Sequence, residues 1–455
     1  MEMILEFLRD VLSQPALLIG IMSCVGLIAL KRPFHKIMTG TLKPILGYLM
    51  LAAGAGVIVS NLDPLGKMIE HGFHITGVVP NNEAIVAVAQ KVLGVETMSI
   101  LVVGLLMNLL IARFTKFKYV FLTGHHSLFM ACLMSAVLGT AGLSGIELIL
   151  VGGLLMGAWS AISPAIGQSY TSKVTDGDEI ALGHFGSLGY YLSAWVAKYV
   201  GKAEESTEDI EIPEKWGFLR DSTLSTALTM IVFYLIAAIA AGSEFVATLS
   251  GSMSPYLFAV MSAMNFAVGV AIVYSGVRMI LGDLIPAFQG IATKIIPNAI
   301  PAVDCAVFFT YAPTAVVLGF ISSFIGGIIG MLILGAVGGV LIIPGLVPHF
   351  FCGATAGIYG NATGGRRGAA VGAFLNGLAI TFLPALALPV LGQLGFQNTT
   401  FGDADFAVMG LVLGNAFEWI GMAGIYGVVV IAALVLIIPN FIKTKGKVIN
   451  YVEEE

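Results

Sequence analysis

Runs of roughly 20 residues without a formal charge recur along most of this chain, each long enough for a helix to cross the hydrocarbon core of a bilayer. Inside lipid every backbone N–H and C=O must find its partner within the protein, so such runs fold as helices. Composition agrees: of the 455 residues 57% are hydrophobic and only 11% are charged, where a soluble domain carries about 25%. The expected fold class is an all-α polytopic membrane protein embedded in a lipid bilayer. Eleven candidate transmembrane helices lie near 14–30, 44–61, 96–112, 119–139, 146–165, 224–243, 256–277, 317–334, 341–361, 369–388 and 420–438.

Several function classes recede at this point. Neither a Walker A loop nor a GxGxxG turn opening a helix is present, so no ATPase or dinucleotide domain and no cofactor is expected. Nothing points to a nucleic-acid partner. The four cysteines (Cys24, Cys132, Cys305 and Cys352) are scattered among apolar runs without a CxxC pair, which suits small buried hydrophobes better than a metal or disulfide. The first 20 residues carry Glu2, Glu6 and Asp10 against Arg9 alone, so no cleaved leader is expected.

Basic loops set the orientation. KRPFHK (31–36) with Lys43, RFTKFK (113–118), Arg366 with Arg367, and Lys443, Lys445 and Lys447 all fall on one side if the spans alternate. Cytoplasmic loops hold such excess Lys and Arg, which puts the N-terminus outside and the C-terminus inside. The segment 166–222, with its acidic run KAEESTEDIEIPEKWGFLRD (202–221), then lies on the cytoplasmic side as a solvated helix or loop.

The chain also answers itself. Gly54 and Pro64 match Gly276 and Pro286 at an offset of 222, NLDP (61–64) matches DLIP (283–286), and Glu83 matches Asp304 at 221. TGH (123–125) is answered by VPH (347–349) at an offset of 224. The first copy begins with a span running outward and the second with one running inward, and the basic loops switch sides accordingly. RFTKFK faces uncharged GAVGG (335–339), and uncharged TAGLSG (140–145) faces GGRR (364–367). These signals predict two inverted-topology repeats, about 14–165 and 224–388, and an extra C-terminal span about 420–438. Moderately apolar segments at 62–95, 181–200, 281–312 and 402–417 read as half-helices or re-entrant hairpins, the parts that build a transporter's midplane site.

Ionisable groups at membrane depth are expensive and persist mainly where they line a cavity or pair. Adjacent His125 and His126, followed by Ser127, mark a polar pocket at a helix start; they either bind a polyhydroxylated substrate or are satisfied by carbonyls of a broken helix. Asn82 and Glu83 occupy capping and first-turn positions, in a site or in a capped surface helix. Asp304 is the only charged residue between Lys294 and His349, and its carboxylate needs donors that sugar hydroxyls supply. His184 lies on a Gly-rich stretch, either a re-entrant tip or a surface helix. His71 and His74, in an outside loop, and His35, in the basic loop, need no role, Glu418 near the outer end of the last span is interfacial, and no i, i+4 His pair or Cys partner supports zinc or another metal.

The motifs GYLMLAAGAG (47–56), LTGH (122–125), VTDGDEIALGH (174–184), KAEESTEDIEIP (202–213), VDCAVFFTYAPTAVVLGF (303–320) and IIPGLVPHFF (342–351) resemble the membrane permease component, enzyme IIC, of the ascorbate-type phosphotransferase system (PTS). The resemblance covers nearly the whole length. It implies a homodimer in the bacterial cytoplasmic membrane, with eleven-span protomers built from inverted repeats, and a core domain moving against a dimer-forming one. It also implies a sugar or sugar-acid substrate delivered inward while a separate cytoplasmic enzyme IIB, charged by IIA, phosphorylates it. No IIB-like domain is read within these residues, so the chain is expected to be a transport subunit without catalytic residues, the phosphoryl donor being a partner. The family's ligand contacts fall here on Asn82–Glu83, on His125, His126, Ser127, Leu128 and Phe129, on His184–Phe185 and on Asp304. Ascorbate permeases carry Thr-Tyr in place of Asn82-Glu83 and glutamines in place of Phe129 and Phe185. Those departures set a neutral sugar or polyol beside ascorbate as the substrate. An ion-coupled secondary transporter, with Glu83 and Asp304 as ion sites, is the competing reading from another class.

Overall fold

The computed structural model describes residues 11, 14–74, 77–80, 82–177, 179–210, 222–392 and 399–441. In chain order the helices are α1 (Pro15–Ala29), α2 (Phe34–Phe73), α3 (Asn82–Phe114), α4 (Gly124–Thr140), α5 (Gly145–Thr175) and α6 (Ser187–Val200). They continue as α7 (Ser222–Ala241), α8 (Ser243–Ser250), α9 (Pro255–Lys294), α10 (Pro313–Ala336), α11 (Leu346–Gly392), α12 (Ala404–Ile420) and α13 (Met422–Phe441). Five short strands interrupt them: β1 (Val79–Pro80), β2 (Tyr119–Phe121), β3 (Ala181–Leu182), β4 (Ile300–Val303) and β5 (Thr399–Thr400). A 3-10 turn over Cys305–Thr310 follows β4.

Among the described residues seven helices are long and apolar enough to cross a membrane, or eight if α7 and α8, bent by 117° at their junction, are one span. Each of the eleven apolar segments expected from sequence overlaps a helix, although 119–139 begins on β2 and 341–361 begins ahead of α11, and three of those helices are counted differently for physical reasons. The 15 residues of α1 and the 17 of α4 are short for a span. Conversely, α11 is continuous only by hydrogen bonding. Gly364 and Gly365 leave helical geometry, Gly365 at φ 59°, a conformation glycine adopts without a Cβ clash. Gly360 then lies against the backbone of Gly368 and Ala369, eight or nine residues on, where a straight helix would hold residues about 12 Å apart. The chain therefore reverses there.

The segments 62–95 and 281–312, expected as half-helices or re-entrant hairpins, continue the preceding helices as far as Phe73 and Lys294 before passing into β1 and β4. Both α2 and α9 run 40 residues, straight through Pro64 and Pro286. His71 consequently lies in the last turn of α2, stacked on Phe245 at 3.8 Å, instead of in a loop. The acidic segment is less free than expected as far as it is described. The Arg366 N–H donates to the Glu205 carbonyl (2.8 Å), the Thr207 N–H to Asn361 Oδ1 (2.8 Å), and the Glu208 carboxylate accepts from the Thr314 N–H (3.0 Å) at the start of α10. It forms a strap across the α11 reversal. Residues 211–221, the lysines at 443, 445 and 447, and the side chain of Glu83 lie outside what is described.

Two helix groups emerge. In one, α1, α2, α7 and α9 pack together; in the other, α3 packs on α4 and α5, and α10 and α6 pack on α11, with α12 and α13 beside them. The first group is centred on the antiparallel crossing of α2 and α9, where Gly47 meets Gly276 and Gly54 meets Gly269. A shift of 222 positions turns Gly47 into Gly269 and Gly54 into Gly276, so it exchanges the two contacts. The strands behave alike. In one sheet β4 lies between β2 and β3, all parallel. In the other, β1 pairs in parallel with β5 and is flanked by a parallel Val78–Ile342 bridge. The same shift carries β1 into β4 and β2 onto residues 341–343.

A Cβ on Gly54 would lie 2.7 Å from the Gly269 carbonyl oxygen, whereas one on exposed Gly56 would meet nothing within 4 Å. Gly54→Leu is thus expected to destabilise the purified protein by about 1–3 kcal/mol or more, and Gly56→Leu to leave it unchanged. Thermal unfolding in detergent reads the difference.

Candidate functional site

Each strand is followed, within four positions, by a polar residue. Asn82 follows β1 by two positions, His125 follows β2 by four, His184 follows β3 by two, Asp304 follows β4 directly and Asp403 follows β5 by three. Each of these residues also stands at or within three positions of the start of the next helix or turn. The strands therefore bring five helix beginnings, where unpaired N–H groups and the positive dipole end gather, to one place. There they border a cavity of about 1040 Å³ between the two helix groups. Its upper walls are apolar, with Leu51 and Leu62 from α2 facing Phe324 and Phe351, and its rim carries Asp63, Lys67 and Glu70.

At the floor the polar groups hold one another. His125 Nε2 lies 3.4 Å from Asp304 Oδ2, and its Nδ1 lies 3.1 Å from the Tyr48 hydroxyl on α2. Asp304 Oδ1 accepts the Ala306 N–H at 3.0 Å, capping the 3-10 turn. The two deeper imidazoles are fixed by the main chain. The Phe185 N–H donates to His126 Nδ1 (3.3 Å), and the Gly186 N–H donates to His184 Nδ1 (3.1 Å), which the Tyr190 hydroxyl also contacts at 2.9 Å. A backbone N–H only donates, so each Nδ1 is an acceptor and each neutral ring carries its proton on Nε2. Both rings present an N–H donor and pack against each other, tilted by 46°, at 3.8 Å between centroids. That is the physical reason for two adjacent buried histidines: His125 reaches forward to Asp304 and Tyr48, while His126 packs sideways against His184.

Two triads, His126–His184–Asp403 and His184–Asp304–Cys305, have donor atoms within 4.8 Å of one another. Metal ligation through Nδ1 would displace the main-chain donors, and ligation through Nε2 would require removing its proton. The arrangement favours hydrogen-bonding a hydroxylated guest instead.

Of the residues expected from sequence, Asn82, His125, His126, Phe129, His184 and Asp304 line the cavity. Three do not. Ser127 donates its hydroxyl to the Thr123 carbonyl (3.3 Å), and Leu128 packs into the core beside α4. The Phe185 ring is fully buried against Phe121, 4.6 Å between centroids; its contribution is the N–H that holds His126. For Glu83 only the backbone, in the first turn of α3, is described. His349, the sequence match of His125, bonds Ser323 at 2.9 Å and does not line the cavity.

Sequence reasoning missed other cavity residues, Tyr48, Cys305, Cys352 and Asp403 among them. Asp403 was findable. The internal match extends beyond the apolar spans, because a shift of 218 carries β3 onto β5 and brings His184 to within a residue of Asp403. Tyr48 sits inside the glycine-rich motif of α2, where nothing in the sequence separates it from packing aromatics. Asp405, just beyond, is wholly buried and accepts from Trp159 Nε1 (3.2 Å), the Ser187 hydroxyl (2.7 Å) and the Leu188 N–H (2.9 Å). It fixes the start of α6 and thereby the tip that carries His184.

The sequence that builds this floor has known relatives. The chain is 26% identical over 417 residues to a protein of Mycoplasma pneumoniae described as an ascorbate-specific PTS system EIIC component, an alignment that takes in 78% of this chain and 62% of the relative. The chain thus spans less than two thirds of that relative's length. Residues 10–405 match the family described as PTS system sugar-specific permease component (EIIC-GAT). Because that match takes in most of the chain and every floor residue from Tyr48 to Asp403, the chain belongs to the sugar-specific permease components of the phosphotransferase system, a family of multi-pass membrane proteins.

Proposed function

We propose that this chain is the enzyme IIC of a phosphoenolpyruvate-dependent phosphotransferase system, binding ascorbate or a related sugar or polyol and passing it across the bacterial cytoplasmic membrane. Family membership supports the transport role, and the observation that carries the site is the convergence of Asn82, His125, His126, His184 and Asp304 on one cavity between two helix groups. Imidazole N–H groups donate to sugar oxygens, Asp304 accepts from a hydroxyl, and Phe129 offers a face for C–H groups. Ascorbate enters as a candidate from the 26% identical relative.

The architecture in this proposal is eleven spans per protomer in two inverted repeats. The paired glycine contacts and paired strand sets, exchanged by a single shift, favour it, as does the reversal at Gly364–Gly365. With the N-terminus outside, the rim residues Asp63, Lys67 and Glu70 lie at the outer end of α2, so the cavity opens outward. Inward delivery follows when the group bearing His125, His184 and Asp304 moves against the α2–α9 group. A separate enzyme IIB, supplied by IIA, then phosphorylates the sugar. This chain contributes orientation, holding the receiving hydroxyl in line with the donor phosphate. The protomers pair as a homodimer.

In vesicles containing the permease, IIA and IIB, the sugar is expected to arrive phosphorylated, and uptake to stop when IIB is omitted. Unmodified sugar whose entry collapses with an ion gradient would instead identify a secondary transporter. Asp304→Asn keeps the capping acceptor but removes the charge, so uptake should fall about tenfold or more with unchanged thermal stability. Single cysteines at Lys116 and Arg366 should react with an impermeant maleimide from the same, cytoplasmic, face; labelling from opposite faces rejects the inverted arrangement.

A further inference from the structure

We propose that Asp403 is a specificity-determining residue of the cavity, the counterpart of His184 under the internal match, and that its carboxylate selects neutral polyhydroxylated substrates against anionic sugar acids. The inference rests on the transport reading above and assigns the substrate class of the same site.

Position is the first argument. Asp403 follows β5 as His184 follows β3, and the two meet at the floor, His184 Nδ1 lying 3.8 Å from Asp403 Oδ1. Asn82 and Asp304, which the 222-residue shift relates, complete the set: Asn82 holds Asp403, and Asp304 clusters with His184. The floor is thus two similar halves face to face, each with a carboxylate.

Orientation is the second. Asn82 Nδ2 donates to Asp403 Oδ2 at 2.6 Å, while Asn82 Oδ1 accepts the Gly402 N–H at 2.9 Å. The Cys352 thiol donates to Asp403 Oδ1 at 3.0 Å. A carboxylate offers about four acceptor positions, so this one is held in place and still has room for donors. Asp403 lines the cavity at 5% exposure. Substrate hydroxyls are donors; an enolate or carboxylate oxygen is not.

Charge is the third. Among the described residues lining the cavity, the one Lys or Arg is Lys67, at the rim and already 2.8 Å from Asp63. The helix beginnings that would welcome an anion are faced by the protein's own carboxylates, Asp304 on its turn and Asp403 before α12. An anionic substrate on this floor would be a third negative charge in a confined, low-dielectric space, where like charges repel far more strongly than in water.

The test is ligand binding to the purified full-length protein at neutral pH. Calorimetric titration would use L-ascorbate and the neutral alditols D-sorbitol, galactitol and xylitol, with the wild type, Asp403→Asn and Asp403→Glu. The wild type is expected to bind at least one alditol more tightly than ascorbate. Asp403→Asn should shift the ratio of affinities toward ascorbate by about tenfold, and Asp403→Glu, which keeps the charge, should retain the wild-type preference. Preference of the wild type for ascorbate overturns the proposal, as does an unchanged ratio in a folded Asp403→Asn protein. Should Asp403→Asn not fold, the wild-type preference alone decides. Phosphorylating uptake of ascorbate by the complete system, combined with tighter ascorbate binding, would leave the transport reading standing and remove this one. Binding and uptake of neither class removes both.

Discussion

Unpaired peptide groups are not tolerated in hydrocarbon, and nevertheless, among the described residues, five short strands interrupt the helices near one cavity. The solution is two sets of very short parallel strands, buried in protein, that take up the N–H and C=O groups freed at the breaks. Because the strands within each set are parallel, their ends point the same way. The residue that follows each strand therefore falls on the floor of the cavity, and the next helix begins there. Asn82, His125, His184, Asp304 and Asp403 owe their meeting to this backbone pairing more than to any attraction among their side chains.

Mutual satisfaction then makes the buried polar cluster affordable. Carboxylates sit at helix beginnings, imidazoles accept main-chain N–H groups on one side and keep a donor on the other, and Tyr48 closes the chain from the opposite helix group. Partly satisfied networks of this sort are costly unless the remaining valences find company. Here the unspent donors and acceptors border a cavity, which leaves them open to the guest proposed above.

Much of this was legible in the residues. Charge-free runs fixed the class, and rare hydrophilic groups in apolar surroundings singled out His125, His126, His184 and Asp304. The strands were not legible, because two to four residues carry no periodicity that distinguishes a strand from a loop. Asp403 was missed for a related reason: the repeat was delimited by its apolar spans, and β3 and β5 lie past their ends. Segments 62–95 and 281–312 read as half-helices or hairpins, yet α2 and α9 run on into them through Pro64 and Pro286; tertiary packing of the long helices against each other overrides the local preference. Phe185 shows the limit of reading roles by residue type, since its ring is core and only its amide serves the site.

The crossing of α2 and α9 has a mechanical meaning. Where glycine backbones touch at Gly47–Gly276 and Gly54–Gly269 there is no intervening layer of side chains to slide or repack. Those two helices form a rigid keel. Its neighbour across the cavity meets it through side chains instead, the Tyr48–His125 hydrogen bond at the floor and ring contacts such as Phe266–Phe350 at 5.0 Å, a seam of another kind from interlocked main chain.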